Sequence, residues 1–232
     1  MNDTHYLHLT CHRIFCFFMA FIFLSPSLTT SSELLSGIKP LSYLQNSKIY
    51  LFLKEESIRP LLTAEEQEAF LRELENVPPN WNQMHDPPGQ EHGARLFALN
   101  RQRDELREEH PLLNQRLAFF WDGILREFDG KHQGYKVVIG PNPTQTTWGI
   151  VRFKPIGFPN EMVSKPSPRL LQAIQNRIDQ GLATEIRVLF TGKLIPWESI
   201  IYTFSHDGVE SGMIMPVIQI DGIQYFLHWP QD

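Results

Sequence analysis

Leu113–Phe128 reads L-N-Q-R-L-A-F-F-W-D-G-I-L-R-E-F. Leu113, Leu117, Phe120, Trp121, Ile124, Leu125 and Phe128 recur at the spacing of one helix face, and Asn114, Arg116, Asp122 and Glu127 fall elsewhere on the wheel. Pro111, after His110, suits the first position of a helix, where its missing N–H costs nothing. The spacing predicts the strongest helix of the chain, one that lays its apolar stripe on a sheet.

Upstream the texture is also helical. Ala94–Glu109 is dense in charge, with Leu96, Phe97, Leu99 and Leu106 as its apolar residues. Thr63-Ala64-Glu65-Glu66 has the form of a capping box, so a helix should run from there to about Glu75 with Phe70, Leu71 and Leu74 inward. Val77-Pro78-Pro79 ends it. Ile49–Leu53 is short and apolar and reads as a strand. Between the helices lies 76–93, rich in proline and without periodicity, which reads as a functional loop or a flexible linker.

Downstream of Gly130 the residues favour strands. Tyr135–Ile139 and Gln145–Phe153 are joined by Gly140-Pro141-Asn142-Pro143. Ser167-Pro168 opens a helix lined by Leu170, Leu171, Ile174 and Ile178 and closed by Gly181. Thr184–Thr191 alternates, with Ile186, Val188 and Phe190 on one face. Ser199–Phe204 is a further strand. Val217–Ile220 and Ile223–Phe226 flank Asp221-Gly222, a dipeptide favoured in two-residue hairpin turns, so a hairpin pairing Ile220 with Ile223 is expected. The order predicts an α+β domain: a mostly antiparallel sheet of about five strands with helices packed on one face, a helical part at 63–128 and a strand-rich part at 135–229.

The beginning of the chain bears on its address. Ile14–Leu24 is an unbroken apolar run behind Arg13, and Ser25-Pro26 stops it before a string of small hydroxyl residues. That is the layout of a signal peptide over 1–32, or of an N-terminal anchor if cleavage fails. A spanning helix needs about 20 apolar residues, more than this run supplies. The expected address is therefore exported, periplasmic or extracellular, with 33–232 as a single domain and contact with the membrane only through the N-terminal segment. Both cysteines, Cys11 and Cys16, lie in the leader. The body thus has no disulfide, thiol nucleophile or thiolate ligand. A formal net charge of −5 opposes nucleic-acid binding, which needs clustered Lys and Arg.

Few residues suggest chemistry. His85, Asp86 and His92 lie close together in the proline-rich loop, but their spacing matches no metal motif, so no metal ligand set and no cofactor are assigned. Ser205-His206-Asp207 holds the residue types of a hydrolase triad, yet adjacent residues cannot converge as a relay requires. Trp81 in the long loop and Trp148 just past the Gly140–Thr147 tip are candidate ligand contacts, since loop aromatics offer rigid contact area. The leading expectation is an exported, non-catalytic binding or assembly domain at the cell envelope, with a protein or small molecule as partner. The alternative is an exported hydrolase, with or without a metal, that draws on His85, Asp86, His92 and His206.

Overall fold

The computed structural model describes residues 35–82, 90–195, 198–204 and 211–228, with backbone alone at 90–92. Among them are eleven strands and four helices, and six strands close into a barrel. The strands are β1 (Ile38–Tyr43), β2 (Ile58–Pro60), β3 (Arg116–Asp129), β4 (Gly134–Ile139), β5 (Thr144–Thr146), β6 (Gly149–Val151), β7 (Lys154–Ile156), β8 (Val163–Lys165), β9 (Thr184–Leu194), β10 (Ile200–Phe204) and β11 (Gly212–Leu227). The helices are α1 (Asn46–Glu55), α2 (Ala64–Glu75), α3 (Gln90–Arg107) and α4 (Pro168–Asp179). The barrel order is β1-β8-β4-β3-β9-β11, and β11 returns to β1. β1 runs parallel to both its neighbours, and the other four barrel pairings are antiparallel.

The expected five-stranded sheet with helices on one face is therefore replaced by a closed barrel, and the reason lies in Leu113–Phe128. Pro111–Asn114 is a single 3₁₀ turn, and Arg116–Asp129 is β3, not a helix. Leu117, Phe119, Trp121 and Leu125 point into the barrel. Ala118, on the other face, is also buried, in a second cluster with Ile49 and Leu53 of α1, Ile58, Leu189 and Phe226. Phe120 packs against the same cluster. A strand covered on both faces loses its polar alternation and becomes a continuous apolar run, and that run also satisfies a helical template.

The same switch of environment moved other elements. Ile49–Leu53 is the middle of α1 rather than a strand, burying Ile49 and Leu53 one turn apart and leaving Leu51 exposed. Gln145–Phe153 folds back as the short β5–β6 hairpin rather than continuing as one strand. The Asp221-Gly222 hairpin does not form. β11 runs straight through it for 16 residues, with Asp221 as the extra residue of a bulge between the pairs Ile220–Gly192 and Gly222–Thr191. Ile218 and Ile220 face the core before the bulge, and Ile223, Tyr225 and Leu227 face it afterwards. A one-residue bulge and a two-residue turn shift the apolar phase alike, which is why the pattern suited both.

Inside the barrel, cross-strand layers stack. Leu41, Tyr225, Val188 and Trp121 form one row in register, and Ile223, Phe190 and Phe119 another. The Phe119 ring is stacked on Phe153 at 4.3 Å and on Phe190 at 5.4 Å. The interior is thus a packed core of side chains, as expected for a small barrel. β11 carries the fold beyond the barrel. Its first half pairs with β10 on one side and with β6 and β7 on the other. No helix among the described residues is long and apolar enough to cross a membrane.

Candidate functional site

The densest convergence of polar side chains lies outside the barrel, where α2 and α3 meet β10. Thr63 caps α2, accepting from Glu66 N while the Glu66 carboxylate accepts from Thr63 N. The helix so started turns Phe70, Leu71 and Leu74 into the core and delivers Glu75, its last residue, to the junction with no exposed side-chain area. α3 brings Asn100, Arg103 and Arg107, which lie on one face at helical spacing. Arg103 Nη1 donates to Glu75 Oε2 at 3.1 Å and to Val77 O at 2.6 Å. Arg107 donates to the other Glu75 oxygen, to Asp104 and to Ile200 O. The Tyr202 hydroxyl also donates to Glu75, and both guanidinium groups lie within 6 Å of its ring. Burial, then the neighbouring Glu75 charge, push the Tyr202 hydroxyl well above the ordinary tyrosine range, so it stays protonated as a donor.

Asn100 treats β10 as a neighbouring strand would. Its Nδ2 donates to Tyr202 O and its Oδ1 accepts from Tyr202 N, both at 2.9 Å. Trp81 completes the face. Its indole N–H donates to Trp148 O at 2.7 Å, and its ring lies 5.6 Å from Phe204 and 6.1 Å from Tyr202. Gly212 makes room for it, because a Cβ there would overlap the indole. Next to it, α2 holds the β5–β6 hairpin through a bond from Thr147 N to Glu68 and another from Gln67 to Thr144.

A second constellation sits on the bulge in β11. The Asp221 carboxylate takes two bonds from Arg116, Nε and Nη2 both at 2.9 Å, and one from Thr191 Oγ1 at 2.7 Å. Burial pushes this carboxyl up, but the bonds from Arg116 and Thr191 and the Arg116 and Lys193 charges outweigh it and hold the pKa below the ordinary value. The group opens on a cleft of about 400 Å³ that also contains Lys39, Phe52 and Gln224.

The residues singled out from sequence are distributed unevenly. His85, Asp86 and His206 lie outside the described residues, and His92 lies in α3. Trp148 is 3% exposed and Trp81 is half-buried, so both rings are engaged in packing, and the Trp81 indole N–H donates to the Trp148 backbone carbonyl. Among the described residues no cluster of three His, Cys, Asp or Glu side chains has the closeness a metal ion needs. Glu75, Asn100, Arg103 and Arg107 did not stand out in the sequence, and Asp221 stood out only as a turn residue. One signal for three of them was available: α3 lacks an apolar stripe, so whatever face it docks must be polar.

The fold and site together define a mixed six-stranded barrel with an appended, helix-covered edge. Comparison with protein-family models, with curated proteins and with solved structures finds no match to this chain.

Proposed function

We propose that this chain is an exported, non-catalytic domain that acts by binding or assembly at the cell envelope. The observation that carries the binding half is the state of the barrel interior. Phe119, Phe153, Phe190 and Trp121 fill it with their own rings, which supports recognition on the outside of the barrel. The export half draws on the sequence alone: an apolar run at Ile14–Leu24 ahead of a cysteine-free body.

Two measurements test it. A reporter fused behind residue 40 should be active outside the cytosol, and a reporter confined to the cell interior would overturn the address. Metal analysis of the full chain, repeated for His85→Ala and His92→Ala, tests the non-catalytic part. Stoichiometric metal lost in both variants would turn the reading towards a metal-assisted hydrolase.

A further inference from the structure

Among the described residues β10 has one neighbour in the sheet, β11. Pro216, opposite Ile200, has no N–H to give, so the backbone groups of Ile200 and Tyr202 point away from β11 towards the opposite edge of β10. An uncovered edge of this kind is a template for another strand, and natural sheets blunt it, among other ways, with a helix. Here α3 does so with side chains. Arg107 takes Ile200 O, and the Asn100 carboxamide takes both Tyr202 N–H and Tyr202 C=O. The two Asn100 bonds copy what the next strand of a sheet would make.

We propose that α3 is a displaceable guard on the β10 edge, and that the edge it covers pairs with β10 of a second copy when the guard lifts. The seat of α3 is built for release. Of its described side chains, Leu99 is the one hydrophobic in the buried set, Leu96 is half-buried, and Arg103 and Arg107 are its buried charged residues. The described part of the seat is thus more polar than apolar. Lifting α3 carries both guanidinium groups away from Glu75, which stays on α2, so the release must also open the Glu75 carboxylate to water.

The second copy is the occupant because the edge suits itself. Ile200–Phe204 reads I-I-Y-T-F, uncharged and strongly β-forming, so two antiparallel copies meet without like-charge repulsion. With Tyr202 opposite Tyr202 of the second copy, each Tyr202 N–H and C=O exchanges Asn100 for a backbone partner. The proposal rests on the assembly reading above for its biological use. Its test is independent of export, so the two fail separately.

The test is sedimentation velocity of the full chain over a wide concentration range, with backbone hydrogen exchange at Tyr202. Asn100→Ala removes the strand-mimicking bonds and should dimerise about tenfold more tightly than wild type, with the Tyr202 amide protected in the dimer. Adding Thr203→Lys, a charge beside the pairing edge, should restore the monomer. A variant that stays monomeric while Tyr202 exchanges freely overturns the proposal. So does a dimer indifferent to Thr203→Lys, because it forms elsewhere. If Asn100→Ala loses its circular dichroism, Asn100→Asp, which keeps an acceptor for Tyr202 N–H, carries the same test with the same outcomes. Loss of folding in both also overturns it, since a displaceable guard cannot be obligatory for the fold.

Discussion

Glu75 has no exposed side-chain area, and its carboxylate receives donors from Arg103, Arg107 and Tyr202. Three donors on one buried anion set up an asymmetry between making and breaking. The intact cluster contributes modestly, because desolvation offsets its attraction, but removing one member leaves the others charged and unpaired. Glu75→Gln should therefore cost about 3–5 kcal/mol of unfolding free energy, read from denaturant titration. Tyr202→Phe, which leaves both ion pairs, should cost only about 1.5–3 kcal/mol. Equal losses in the two variants would show that the hydroxyl, not the charge balance, holds the junction. Asp221 presents the pH-dependent case. Its folded pKa lies below the ordinary aspartate value of about 4. Its stabilisation is complete above that ordinary value and is lost as pH falls through the depressed one, because the unfolded chain binds the proton first. Asp221→Asn should thus flatten the decline of stability below about pH 4, seen by comparing unfolding free energies of variant and wild type across the acid range.

α2, α4 and β9 were readable from sequence because each carries its own boundary or period. Thr63 and Glu66 close the capping box of α2, and Ser167 caps α4 with Pro168 at its first position. In β9, Ile186, Val188 and Phe190 alternate with residues on the outer face. Thr63→Ala should lower stability by about 1 kcal/mol, measured by thermal or chemical unfolding, while Thr63→Asn should hold it near wild type. A null effect for Thr63→Ala would mean that packing of Phe70, Leu71 and Leu74 alone sets where α2 begins. The elements that misled are those whose pattern is written by partners distant in sequence. β3 is apolar on successive residues because α1 covers its outer wall, and nothing local in Leu113–Phe128 announces α1. The Asp221-Gly222 step became a bulge because β9 supplies Thr191 and β3 supplies Arg116 to hold the carboxylate. At the candidate site, Trp81 and Trp148 were visible as aromatic residues in loops. Their union through an indole bond, and the role of Asn100 on a strand edge, depend on tertiary contacts that single-chain spacing does not encode.

At the scale of the whole molecule, the barrel closes through short joints, and the neighbouring β4–β8 pairing is shorter still, with two residue pairs. β1 registers with β11 over three residue pairs and with β8 over three, while β3 and β9 share ten. Closure is thus parallel and brief on both sides of β1, and antiparallel and long across the opposite wall. One further bond reinforces the joint: the Tyr225 hydroxyl, buried and pushed above its ordinary pKa by that burial, donates to Gly37 O at 2.6 Å just ahead of β1. A seam of this kind should open locally before the wall unfolds, because local stability follows the extent of buried ladder and packing. Tyr225→Phe removes one of the two donors to the Gly37 carbonyl and leaves the Val163 N–H in place, a loss of about 0.5–1.5 kcal/mol. Since about 1.4 kcal/mol is a tenfold change in an equilibrium constant, amide exchange in β1 should quicken by roughly two- to twelvefold. Exchange across the β3–β9 ladder should stay within about twofold of wild type, because its opening does not pass through the seam. Residue-resolved hydrogen exchange on the full chain distinguishes the outcomes. Equal acceleration in β1 and in the β3–β9 wall would mean that the barrel opens only as one cooperative unit, and that β1 is no more separable than the strands it joins.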